Sequence, residues 1–170
     1  YERSWLEARS PNFVVVSALG KKANVALVQE LEDFRQVVAL FTNAGVLEPR
    51  VPTWLFVFPG EVEALGLSGD VGGFFLGRMR ANYAAIRPSR GLSLAHVIQH
   101  EYTHFLVHNQ SRLLYPRWYH EGFAELLSTV NLRGGRFDLG NAATGRVYAL
   151  RDPLAFWLPF DRLLDDEQFT

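Results

Sequence analysis

The chain contains no cysteine, which removes disulfides and thiolate metal ligands from consideration. A transition-metal site, if there is one, must be built from His, Asp and Glu. It has no apolar run long enough to span a bilayer, the longest, such as residues 54–58, being strand-sized. Net charge is nearly absent: 17 Lys and Arg against 18 Asp and Glu give −1, and the arginines are scattered. There is thus no electrostatic case for a nucleic-acid partner or an anionic membrane surface. Internal repeats and low-complexity linkers are missing as well. No signal peptide opens the chain, and Tyr1 stands where Met would, so a processed or excised piece is the expectation.

What remains is an ordinary globular composition, 48% apolar and 21% charged over 170 residues, enough for one domain with a sizeable core. Residues 12–17 (NFVVVS) are β-branched and read as a strand. In 22–43 the apolar residues Val25, Leu27, Val28, Leu31, Phe34, Val37, Val38 and Phe41 recur at three- and four-residue steps, the period of a long helix, with a Gly stop at 43–45. Residues 53–58 (TWLFVF) are apolar throughout, as a central strand is. A short helix over 61–67, a Gly-rich loop over 68–73, strands over 74–78 and 83–87 and a break at 88–91 follow. Ser93 is a suitable N-cap for a helix to about His108. Pro116 opens another to about Val130. Residues 131–135 read as a turn, 136–139 and 146–150 as short strands, and 160–164 as an apolar tail segment. The order β-α-β-β-β-α-α predicts an α+β fold, a mixed sheet with helices packed on it.

Four of the five histidines lie in HVIQHEYTHFLVH, at 96, 100, 104 and 108. Within it, His100-Glu101-Tyr102-Thr103-His104 is HExxH. Residues four apart sit one turn above each other, so two imidazoles can reach one ion at about 2.0–2.1 Å. Glu101 is turned about 100° around the axis, beside such an ion, where it can take a proton from metal-bound water. Only the central pair has a glutamate after its first member: Val97 follows His96 and Phe105 follows His104. The competing reading is a row of exposed helix histidines without a metal. Downstream lies PRWYHEGFAE, residues 116–125, with Glu121 and Glu125 one turn apart. Either could be a third protein ligand, leaving the fourth position open for water.

HEYTH followed by WYHEGFAE resembles the gluzincin metallopeptidases, the thermolysin and aminopeptidase N group, and most nearly the bacterial peptidase MA-like domains. The likeness is sharpest over 92–130 and extends more weakly to WLEARSPNFVVVS at the start. It implies a single zincin-like domain over 1–170, with a long N-terminal helix, an HExxH helix and a following helix carrying the third ligand. It implies a peptidase in which Zn²⁺ is held by His100, His104 and Glu121, and Glu101 is the general base for a metal-activated water. Glu125 would support His100 from behind. Sixteen residues separate His104 from Glu121, slightly fewer than is usual in that group. Relatives continue with further helices, which makes a C-terminal truncation the expectation. A bacterial periplasmic or extracellular setting is left open by the likeness; the residues assign no compartment and no oligomeric state.

Tyr148 is the candidate oxyanion donor, the one Tyr beyond Val130, with a core strand aromatic as the competing role. Gly122 suggests close approach of a helix or of substrate, because Gly inside a helix costs roughly 1 kcal/mol. Trp118 and Phe123 read as core aromatics. His96 reads as a bystander, His108 as a capping or surface residue, and His120 as pointing off the metal face. A peptide or protein substrate could add to a sheet edge, for which 83–87 is the expected strand. The alternative to a peptidase is a non-catalytic zinc-binding or protein-interaction domain within a larger protein; an intact HExxH glutamate argues against it, since a structural site needs no base.

Overall fold

The computed structural model describes residues 4–42, 51–58, 73–77, 81–87, 93–110, 115–141, 144–152, 159 and 162. The Gly stop at 43–45, the helix over 61–67, the loop over 68–72, the break at 88–91 and all of the segment 160–164 but residue 162 lie outside them, as does most of the 109–115 loop.

Five strands form one sheet: β1 (Leu6–Arg9), β2 (Phe13–Ser17), β3 (Thr53–Val57), β4 (Gly73–Gly77) and β5 (Asn82–Ile86). Their order is β1-β2-β3-β5-β4. β2, β3 and β5 run parallel; β1 and β4 are antiparallel to their neighbours and form the two edges. The expected substrate edge at 83–87 is therefore corrected. β5 is paired on both sides, and the edge is β4, because the hairpin back from β4 leaves β5 to pair with β3. A four- or five-residue apolar stretch carries no sign of which partner it takes, so the sequence could not rank the two strands.

The register explains the core. Val15, Leu55, Ala84 and Phe75 lie side by side across four strands, as do Ser17, Val57, Ile86 and Gly73. These alternate residues share one face. Against it packs α1 (Lys21–Thr42) through Leu27, Leu31, Phe34 and Val38, each at most 7% exposed. Val25 and Phe41, also in the apolar period, stay exposed. The same face receives α2 (Leu94–Gln110) through Val97, Ile98, Tyr102 and Leu106. β3 is central, as its unbroken apolar run predicts. A buried face of this kind is the main favourable term in folding.

β1 went unread in the sequence. It forms a hairpin with β2, and Glu32 of α1 holds the turn by accepting from Ser10 Oγ at 2.6 Å, Asn12 N at 3.0 Å and Asn12 Nδ2 at 2.7 Å. After α3 (Arg117–Leu127) a second hairpin pairs β6 (Asn131–Arg133) with β7 (Arg136–Asp138). Its two turn residues, Gly134 and Gly135, both have positive φ, 55° and 74°, the conformation that tight hairpins demand and glycine supplies. Residues 144–151 are a helix, α4 (Thr144–Arg151), where a strand over 146–150 was expected. Five residues that mix Val and Tyr with Ala and Leu suit either period, and length alone arbitrates. The result is a mixed α+β domain, with no helix among the described residues long and apolar enough to cross a membrane.

Candidate metal centre

Ser93 starts α2: its hydroxyl accepts the His96 backbone N–H at 3.1 Å and its carbonyl accepts that of Val97 at 3.2 Å. The side chain thus satisfies one of the helix's orphan donors. Pro116 starts α3, its carbonyl accepting from Tyr119 and His120. Along α2 the partners on α3 fall in number as the α2 number rises, so the two helices run antiparallel: His104 meets Glu121, His100 meets Glu121 and Glu125, and His96 meets Glu125 and Ser128.

Three donor atoms converge. His100 Nε2 lies 3.2 Å from His104 Nε2, and Glu121 Oε2 lies 3.5 Å from each. An ion bound tetrahedrally at 2.0–2.1 Å spaces its ligands about 3.4 Å apart. The nearly equilateral triangle therefore has the size a metal ion needs, and His100, His104 and Glu121 form a group that could hold one. Glu121 is half-exposed while His100 is mostly buried, so the centre opens to solvent on the Glu121 side. Burial pushes the His104 imidazole pKa down, with Glu121 opposing and His120 adding to the effect. The net direction favours the neutral ring that a metal ligand requires.

Glu125 takes the other side of His100, with Oε2 3.5 Å from Nδ1. A carboxylate there favours the tautomer with hydrogen on Nδ1 and leaves the Nε2 lone pair free for a metal. This geometry gives Glu121 the place in the donor triangle and Glu125 the place behind it.

Glu101 sits next to an apolar cavity lined by Phe75, Ile86, Ile98 and Tyr102. Burial first, and the Glu121 charge second, push its pKa up to about 7. A carboxyl poised there can accept and return a proton near neutral pH. On the sheet it lies close to Gly73. A Cβ at Gly73 would overlap Ile86 Cδ1, lie 3.1 Å from the Ala85 carbonyl oxygen and 3.6 Å from Glu101 Cγ. The edge strand thus passes close to the helix at the glutamate, an approach for which glycine leaves room. In the sequence Gly73 reads only as the end of a Gly-rich loop.

Other expectations fare unevenly. Tyr148 lies on α4 and is 72% exposed, which excludes the core strand role; no described contact joins it to the donor triangle. Trp118 is exposed, contrary to the core reading, whereas Phe123 packs against the core. Gly122 is exposed, with nothing within 4 Å of where a Cβ would stand, so no helix among the described residues packs on it. His120 is not part of the donor group; its ring lies 6.5 Å from that of His104 and 5.8 Å from Tyr115. His96 is buried, against Glu125 and Ser128. The His108 side chain lies outside the described residues. No family model matches the chain, and no curated protein matches it. Fold and site together define an α+β protein with a His-His-Glu group competent for a metal ion.

Proposed function

We propose that this chain is a zincin-like metallopeptidase domain of gluzincin type, which uses Zn²⁺ to hydrolyse peptide bonds. The observation that carries the reading is the donor triangle with Glu101 beside it. The donor set is two imidazoles and a carboxylate, which suits zinc, with three protein ligands as in catalytic rather than closed structural sites. When bound, zinc supplies a Lewis acid and lowers the pKa of a water in its open position.

The chain's own residues supply the rest. His100, His104 and Glu121 hold the ion, and Glu125 orients His100. Glu101 takes a proton from the attacking water and returns it to the leaving amine. Its raised pKa suits both halves of that task. β4, an edge strand among the described residues and close to Glu101, offers backbone groups to which an extended peptide could add as a further strand. A glutamate placed to move protons is redundant in a purely structural zinc site, and this favours hydrolysis over a binding module.

Zinc content after purification without chelator, together with cleavage of a denatured protein or peptide library with and without chelator, tests the reading. Stoichiometric zinc and chelator-sensitive cleavage are expected. Stoichiometric zinc without any cleavage would favour the non-catalytic zinc domain, and absence of zinc would overturn both.

A further inference from the structure

Glu125 has two carboxylate oxygens, and each faces a histidine. Oε2 is 3.5 Å from His100 Nδ1, and Oε1 is 3.6 Å from His96 Nε2. His96 is 7% exposed. Its Nε2 also lies 3.2 Å from Ser128 Oγ, and that hydroxyl donates to the Glu125 backbone carbonyl at 2.7 Å. A serine hydroxyl has one proton. With that proton committed to Glu125 O, the contact to His96 requires Nε2 to be the donor. The tautomer of His96 is thereby set, with its N–H on the Ser128 oxygen and the Glu125 carboxylate oxygen close by at 3.6 Å. The backbone end of His96 is fixed as well, by the Ser93 cap.

We infer that His96 is a positioning residue for the metal centre, holding the Glu125 carboxylate in the orientation that presents Oε2 to His100 Nδ1, with Ser128 setting the His96 tautomer. This rests on the zinc reading above. A carboxylate on an i, i+4 helix face has several rotamers, and only some aim an oxygen at His100. A buried donor on the opposite side of the carboxylate selects among them. Groups that orient metal-bound histidines are typically worth about 10–100-fold in metal affinity. His96 acts one residue further out, through Glu125, so the lower end of that range applies.

The test is a double-mutant cycle read by zinc affinity, using competition with a chromophoric chelator, on the wild type, His96→Leu, Glu125→Ala and the double variant. Folding of each is checked by circular dichroism in chelator, and the Co²⁺ absorption spectrum reports coordination. His96→Leu should weaken zinc binding about tenfold and alter the Co²⁺ spectrum. His96→Gln, which can keep an N–H near the Nε2 position, should restore most of the affinity. In the Glu125→Ala background His96→Leu should cost little more. Wild-type affinity in His96→Leu, or a full additional loss in the double variant, overturns the inference. Should His96→Leu not fold, Ser128→Ala takes its place, with a several-fold loss that disappears in the Glu125→Ala background; wild-type affinity in Ser128→Ala overturns the inference. A wild type that takes up no zinc refutes the metal reading itself, whereas normal zinc uptake without coupling refutes only the role of His96.

Discussion

Replacing Glu101 by Gln removes one charge and nearly preserves shape, and it separates three quantities. Metal affinity should stay close to wild type, because Glu101 is outside the donor triangle. Hydrolysis should fall by about 10²–10⁴-fold, the usual contribution of a positioned acid–base group. The stability of the metal-free protein should rise above neutral pH. Burial, then the nearby Glu121 charge, push the Glu101 pKa from an ordinary 4.5 up to about 7. In the unfolded chain the same group ionises near 4.5. Below that pH both states carry the proton, and Glu101 imposes no charge penalty. Between about 4.5 and 7 the unfolded state ionises first, so stability is lost as pH rises; above about 7 the loss is complete. At about 1.36 kcal/mol per pKa unit the ceiling is about 3.4 kcal/mol. Glu101 keeps part of its surface in water, which screens the charge, and about 1–2 kcal/mol is the expected size.

Urea unfolding in chelator, for both proteins at pH 5.5 and pH 8.5, measures this. Every other group is common to the two proteins and largely cancels in the difference. At pH 5.5 the unfolded carboxyl is already mostly ionised, so part of the loss precedes the window, and the advantage of Glu101→Gln should grow by about 0.5–1 kcal/mol between the two pH values. An advantage that is flat or shrinks with rising pH would refute the claim that the glutamate is charged at a cost. Undiminished hydrolysis in the variant would refute its role as the base.

Gly122→Ala should stabilise α3 by about 0.5–1 kcal/mol, since the new methyl meets nothing within 4 Å; a drop in thermal midpoint would show that the site is more crowded than it stands here. If hydrolysis falls in the same variant while stability rises, substrate occupies that open space. Ser93→Ala should cost about 1 kcal/mol in urea unfolding by stripping the cap from the His96 N–H, and no loss would mean that the cap contributes nothing. Zinc at about a hundred times its dissociation constant should stabilise the protein by about 2.7 kcal/mol; an unchanged midpoint on adding zinc would speak against binding to the folded state.

Much of this fold was legible because its long-period signals are strong. The apolar face of α1 repeats over about five turns, and Leu27, Val28, Leu31, Phe34, Val37 and Val38 all reach the core. The cap at Ser93 and the central place of β3 followed from residue type alone. Short elements were not legible. β1 (LEAR) is exposed and polar at alternate positions, and what holds it is the pairing with β2 and the Glu32 clamp on its turn, a contact 20 residues away in the chain. The edge position of β4 likewise depends on its pairing with β5, which local periodicity does not encode.

The site divides in the same way. HExxH is local: its two histidines and its glutamate are related by the helix repeat and need no tertiary information. The third ligand depends on α3 meeting α2 at one register, and that register has a further consequence. In an antiparallel helix pair, stepping back one turn on α2 steps forward one turn on α3. Once His104 and His100 share Glu121, the next rung sets His100 against Glu125, and the one after sets His96 against Glu125 and Ser128. Four-residue spacing on both helices is visible in the sequence as H-x₃-H-x₃-H and E-x₃-E-x₂-S. Treating His96 as a surplus rung ignored this pairing. A third buried rung, one turn behind the donors, has no metal of its own to bind. What its geometry offers instead is an N–H held on Ser128 and close to the carboxylate that faces His100.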